Sequence, residues 1–367
     1  MAARDFLALD TPALLADLPT LERNVARMAE HARQLGLEHW PHTKTHKVPE
    51  LAKRQVVAGS PGICVAKLGE AEVMIEAGLE RIFIANHLVG PQKVERLLQL
   101  AERAELSVCV DSLAAAEPIS AAFAAQGRRL PVLLEIDSGL GRCGVQPGQQ
   151  AQELALAVHR LPGLELVGIM TYAGTMRGRT SVADIEAAAK EEAAIMRAVA
   201  ERLRAAGVQV SRVSGGSTPR ARFYSEGCGL TEIRPGTYIY NDVNCLDTGA
   251  ASEQDCALTV LATVISRPRP ARATLDAGSK ALTSDRAVAS PGHGRIVELP
   301  GALIERLDEE HAYVDVSSAE REPEIGEKVR IIPNHACPVS NLADEINLIE
   351  GDQVVETLPI AARGKSR

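Results

Sequence analysis

The sequence predicts an α/β protein: a parallel (β/α)8 TIM-type barrel followed by an antiparallel β domain. Three observations carry that reading. About eight apolar, strand-like runs alternate with helical stretches over roughly 200 residues, the signature of a closed parallel barrel. No Gly-x-Gly-x-x-Gly opens the first helix, which weighs against an open doubly wound sheet. After Asn241 the alternation stops, and short β-rich runs follow one another between turn signals such as Pro268-Arg269-Pro270 and Glu350-Gly351-Asp352. A chain of 367 residues is long enough for both parts.

Taken in order, residues 10–15 read as a short strand. Residues 18–35 carry apolar side chains at helical spacing (Leu21, Val25, Met28, Ala32), with Thr20 available as N-cap. The barrel strands are expected at 39–43, 63–66, 82–85, 106–110, 131–136, 164–170, 208–213 and 232–240. Helices are expected between them, among others at 69–77, 91–102, 112–125 and 182–206, while Pro49 is expected to stop a helix directly after the first strand. The later β runs lie at 257–266, 271–276, 294–299, 312–316, 328–332, 345–349 and 353–358. The implied boundaries are a barrel over 12–250 and a β domain over 251–367 together with residues 1–11. The tail from Arg363 to Arg367 is expected to be mobile.

Composition excludes several classes. The formal net charge of −8 gives nucleic acid or an anionic membrane no footing. No apolar run approaches the ~20 residues of a membrane span. The opening Met1-Ala2-Ala3-Arg4-Asp5 lacks the apolar core of a signal peptide, which points to the cytoplasm. The seven cysteines are far apart with no Cys-x-x-Cys pair, so they read as reduced thiols rather than a disulfide framework.

Five stretches carry chemistry. Pro41-His42-Thr43-Lys44-Thr45-His46-Lys47 crowds two lysines and two histidines at the end of the first strand. Cationic neighbours and partial desolvation favour a neutral lysine amine, the form a Schiff-base enzyme needs, although a basic anion-binding loop would look alike. Val213-Ser214-Gly215-Gly216-Ser217-Thr218 combines glycines that let backbone N–H groups approach an anion with two hydroxyls, which suits a phosphate monoester. Arg142 lies in a glycine-loosened loop after the fifth barrel strand, and Arg234 lies on the last one. Asn334-His335-Ala336-Cys337-Pro338 places an imidazole and a thiol two residues apart. On an extended chain both would point the same way and could share one divalent ion, zinc being favoured by the sulfur.

These stretches, with Asp10-Thr11-Pro12-Ala13-Leu14, Asp137 to Gly144, Arg234-Pro235-Gly236-Thr237-Tyr238 and Leu275 to Lys280, make seven blocks in one order. In them the chain resembles, nearly end to end, the fold type III pyridoxal-phosphate enzymes of the alanine-racemase barrel type. Within that group it is most similar to the D-threonine aldolase and D-serine dehydratase branch. The resemblance implies that Lys44, not Lys47, bonds the cofactor aldehyde. It implies that Gly215, Gly216, Ser217 and Thr218 hold the phosphate, with Tyr240 a further contact. Arg142 and Arg234 fall where relatives touch the ring or substrate, and Tyr172 falls against the ring. His335 and Cys337 match the ligands of a divalent metal (zinc, manganese or magnesium) on the dehydratase side, whereas aldolases carry an aspartate in place of Cys337. Thr175 stands where the family has a histidine that serves as base for the β-hydroxyl.

The implied activity is a lyase acting on small D-β-hydroxy-α-amino acids, by retro-aldol cleavage to glycine and an aldehyde. The alternative is a D-serine or D-threonine dehydratase giving a keto acid and ammonia. An amino-acid racemase and a non-catalytic cofactor carrier stand further off. By the same resemblance the expected assembly is a homodimer.

Overall fold

The computed structural model describes residues 4–173 and 181–367. The chain divides into two compact units, one comprising residues 28–44, 51–236 and 365–367, the other the remainder up to Gly364.

The first unit is the barrel. Its eight strands are Glu38–His39, Ile63–Val65, Arg81–Ile84, Glu105–Val110, Leu130–Glu135, Leu164–Met170, Arg212–Gly215 and Glu232–Ile233. Sequential strands from the second onward pair in parallel, and the last returns to the first through Glu232 opposite Glu38 and Ile233 opposite His39. The remaining seam is closed by a parallel bridge between His42 and Cys64 and by the Cys64 N–H donating to the Pro41 carbonyl at 2.9 Å. The strands are buried on both faces, which is why they read as continuous apolar runs rather than as alternating ones.

Inside the ring, Trp40, Cys64, Phe83, Cys109, Leu133 and Met170 form one packed cluster, a single residue from each of six successive strand regions. Burial pushes the Cys64 thiol up to about 12 and raises Cys109 as well, so both serve as small apolar fillers. Toward the N-terminal strand ends, Arg212 donates to both carboxylate oxygens of Glu232 at 2.7 and 3.0 Å and to Ser107 Oγ at 3.1 Å. Its guanidinium lies 4.7 Å from the Trp40 ring and 5.3 Å from Phe83. The interior is thus filled by a paired charge at one end.

Differences from the sequence reading have local causes. The seventh strand runs Arg212–Gly215 rather than 208–213, because Val208 and Val210 finish the preceding helix. Gly207 adopts φ +84°, the Val208 N–H returns to the Leu203 carbonyl, and Arg204 bonds the Val210 carbonyl. The eighth strand stops at Ile233, since Pro235 cannot donate to a ladder. Pro49 does not stop a helix; it opens the one spanning Pro49–Val57, where its missing N–H costs nothing. The C-terminal residue is docked rather than loose, its carbonyl accepting from the Gly69 N–H at 2.8 Å and from Arg96 at 3.2 Å.

The second unit is built on a ten-stranded sheet. Its spine is the twelve-residue strand Leu258–Arg269, which pairs with Ala13–Asp17, Lys328–Ile332 and Arg272–Leu275. Ala13–Asp17 also runs parallel to Asn347–Ile349, so the sheet is mixed where the sequence suggested a purely antiparallel one. That short strand, placed by the sequence at the start of the barrel, therefore belongs to this sheet, with Leu14, Leu15 and Ala16 all buried. A strand at Leu303–Leu307 was not expected; Glu305 and Arg306 break its apolar pattern at a bulge.

Removing one partner of a buried ion pair strands the other. Arg212→Ala should therefore destabilise the protein by about 3 kcal/mol, measured by urea denaturation, because the Glu232 side chain is only 1% exposed.

Candidate active site

In the barrel unit the predicted groups gather at the C-terminal strand ends. The chain leaves the first strand through a 3-10 turn, Thr43–Thr45, that carries Lys44. Lys44 Nζ lies 5.4 Å from the centre of the Tyr172 ring, and the Arg142 guanidinium lies 4.7 Å from the same ring. Two cations from loops almost a hundred residues apart thus meet at one aromatic ring. The His42 ring donates to the Cys64 carbonyl, and its shielded Nδ1 has no partner among the described residues. Desolvation, with the charges of Lys44 and Arg234, holds this imidazole well below its ordinary pKa, so Nδ1 is a neutral acceptor.

Arg234 is 5% exposed and is anchored below the mouth. It donates to Ser214 Oγ and, at 2.6 Å, to the Thr171 carbonyl, and lies 5.7 Å from the Phe83 ring. The Gly215, Gly216, Ser217 and Thr218 segment follows the seventh strand as predicted. Gly216 takes φ +77°, and its N–H donates to Glu192 at 2.7 Å. The Ser217 hydroxyl makes no capping bond to the one-turn helix Thr218–Ala221.

The sequence reading missed a polar triad on consecutive strand ends. His87 Nε2 stands 3.4 Å from Asp111 Oδ2 and 3.4 Å from Glu135 Oε2. Desolvation raises the Glu135 carboxyl, with His87, Arg234 and Arg142 pulling the other way. The available signal was an acidic residue directly ending an apolar strand run, Val110-Asp111 and Leu134-Glu135, at the face where barrel chemistry collects. Thr175 lies outside the described residues.

The sheet unit holds the rest. Tyr240 is fully buried, and its hydroxyl has no partner among the described residues; burial raises it well above an ordinary phenol. His335 and Cys337 do not sit on an extended strand as expected. His335 is the N-cap of the helix Ala336–Leu342, because Asp242 accepts the Ala336 N–H at 2.9 Å and starts the turn there. Cys337 still reaches the imidazole. Burial opposes a charge on His335, but hydrogen bonding to Cys337, with Asp285 and Asp242 adding to it, lifts its pKa to about 9. Asp285 Oδ2 contacts His335 Nδ1 at 2.7 Å, and Thr45 Oγ1 lies 3.2 Å from the Cys337 sulfur.

Those donor sets fit the two groups. A carboxylate on Nδ1 is the arrangement that orients a metal-ligating histidine through its other nitrogen, and a neighbouring thiolate favours a borderline-soft ion. Lysine and arginine around an aromatic ring, with a buried unpartnered polar atom at His42, suit a charged aromatic cofactor. The family model described as "Alanine racemase, N-terminal domain" matches residues 16–243. The chain belongs to this family. A second model, "Putative serine dehydratase domain", matches residues 257–349 of this family member.

Full-length relatives agree. The chain is 35% identical to D-threonine aldolase of Arthrobacter sp., over 98% of this chain and 94% of that one. The solved D-threonine aldolase of Filomicrobium marinum superposes with a TM-score of 0.91 at 34% identity, covering 100% of both chains. A D-threo-3-hydroxyaspartate dehydratase with a cysteine-to-alanine substitution, solved in a metal-free form, has a TM-score of 0.89 at 34% identity over 97% of this chain and 98% of that one. The family's relatives are thus both aldolases and dehydratases.

Two outcomes check the assignments. Lys47 has its Nζ near the Ala362 carbonyl at 3.5 Å, within the sheet unit. Lys44→Ala should therefore abolish the visible absorbance of lysine-bound pyridoxal phosphate, and Lys47→Ala should retain it. Asp285→Asn should weaken zinc or manganese binding about 10–100-fold in a metal titration, with the cofactor absorbance intact.

Proposed function

We propose that the protein is a pyridoxal-phosphate- and divalent-metal-dependent lyase that cleaves D-β-hydroxy-α-amino acids, such as D-threonine, to glycine and an aldehyde. The observation that carries this reading is the convergence of Lys44 and Arg142 on the Tyr172 ring, in a chain similar over its whole length to D-threonine aldolases. When bound, pyridoxal phosphate supplies an electron sink for charge developing at Cα, and the metal supplies a Lewis acid for the β-oxygen.

The chain's own groups then divide the work. Lys44 Nζ would hold the cofactor aldehyde, and its amine is the group that would move the proton at Cα. Tyr172 backs the ring plane. Arg142 offers a two-pronged donor for a carboxylate or phenolate oxygen. Ser217 and Thr218 would donate toward the phosphate, with Gly215 and Gly216 shaping the loop. Arg234, bonded to Ser214 and Thr171, keeps further N–H donors for the cofactor ring or the substrate. His335, steered by Asp285, and Cys337 hold the metal.

Cys337 supports a second reading. A dehydratase would use Lys44 to take the Cα proton while the β-hydroxyl leaves, giving a keto acid and ammonia. The metal-free cysteine variant of a related dehydratase keeps that alternative in view. A cytoplasmic homodimer goes with either activity, and light scattering on the purified protein checks the assembly.

The deciding experiment supplies D-threonine, pyridoxal phosphate and Mn²⁺ or Zn²⁺. Glycine with acetaldehyde is expected, and 2-oxobutanoate with ammonia would move the assignment to the dehydratase. Stripping the metal with a chelator should abolish turnover with the cofactor absorbance preserved, and adding metal back should restore it.

A further inference from the structure

Glu192 sits in the middle of the helix Val182–Ala205 and is 2% exposed. A carboxylate at such a position is costly unless its oxygens are bonded. Among the described residues its partners belong to one stretch of nine residues. Oε1 accepts from the Gly216 N–H at 2.7 Å and from the Tyr224 hydroxyl at 3.1 Å, and Oε2 pairs with Arg220. Tyr224 and Arg220 are themselves 5% and 4% exposed. One side chain of an outer helix therefore holds the segment 216–224 at three points.

The carboxylate and the side chains around it leave no room for a Cβ at either glycine. A Cβ on Gly215 would stand 2.7 Å from Glu192 Oε1. A Cβ on Gly216, already at φ +77°, would meet the Ile233 side chain at 3.0 Å and the Tyr224 ring at 3.1 Å. The sequence assigns both glycines to close approach of a phosphate. The geometry gives the Gly216 N–H to a carboxylate instead, and one N–H aimed at Glu192 is not aimed at a second anion. Arg220 cancels the carboxylate's charge, so the clamp does not set a bare negative group beside a phosphate dianion.

We propose that Glu192 is the positioning residue of the phosphate loop: by fixing the Gly215–Gly216 turn, with Arg220 and Tyr224 as its other anchors, it aims the Ser217 and Thr218 donors at the cofactor's phosphate. This rests on the reading of residues 215–218 as the phosphate site. Glu192 itself touches neither cofactor nor substrate. Its contribution is the shape of a loop whose remaining donors are productive in one conformation only.

The test compares pyridoxal phosphate with pyridoxal, which lacks the phosphate, by titrating the visible absorbance of cofactor-free full-length protein. In the parent protein the phosphorylated form should bind more tightly. Glu192→Ala should weaken pyridoxal phosphate about tenfold or more and leave pyridoxal unchanged, so the preference collapses. Glu192→Gln, which can still accept from Gly216 and Tyr224, should recover part of the loss. Tyr224→Phe should produce a smaller loss in the same direction. A preference that persists in Glu192→Ala with unaltered circular dichroism overturns the inference. Should that variant not fold, an unchanged preference in both Glu192→Gln and Tyr224→Phe overturns it equally. A parent protein with no preference for the phosphorylated form overturns the phosphate-site reading, and the inference with it.

Discussion

Closure of the barrel at the His42–Cys64 bridge is the constraint on which the chemistry rests. The seam that joins the ring is made by residues 41–43, and Lys44 is the next residue along. The backbone that carries Lys44 is therefore held by the same bonds that complete the fold. Tyr172 and Arg234 likewise follow within two residues of strands whose two neighbours are already paired. A site built on strand ends inherits the precision of the ladder beneath it.

The barrel also segregates its charges. Its interior is apolar in the middle, and a paired charge at one end, Arg212 with Glu232, is bonded through both carboxylate oxygens and lies against two aromatic rings. At the opposite end His87 stands 3.4 Å from both Asp111 and Glu135, longer than an ordinary hydrogen bond, with Arg142 among the charges that act on Glu135. The first arrangement serves stability. The second leaves groups able to exchange partners when a charged molecule arrives, which a saturated network could not do.

Much of the barrel was legible because strands buried on both faces appear as uninterrupted apolar runs, and the stretch 41–47 stood out because clustered cations at a strand end have no packing explanation; the choice of Lys44 within it came from the family resemblance. What escaped has equally physical reasons. Ala13-Leu14-Leu15-Ala16 reads as a strand, but nothing in it names the distant segments it pairs with. Leu303–Leu307 carries two charged residues in its middle and loses its alternation. His335 becomes an N-cap through the carboxylate of Asp242, more than ninety residues earlier, which spacing within the motif cannot reveal. Glu192 left the clearest unread mark: it occupies the apolar stripe of its helix, in phase with Ile185, Ala189, Met196 and Leu203. A charge in phase with a hydrophobic face must have a partner, and periodicity alone does not say which.

The strand Ala13–Asp17 has a kinetic implication for the growing polypeptide. It is made well before its neighbours, Leu258–Leu261 and Asn347–Ile349. At usual translation speeds that leaves roughly 10–50 s before even the nearer neighbour emerges. All the barrel strands are synthesised in that interval. Until then an apolar ribbon with unmet backbone groups waits on the growing chain, the kind of sequence that holdase chaperones recognise on the ribosome.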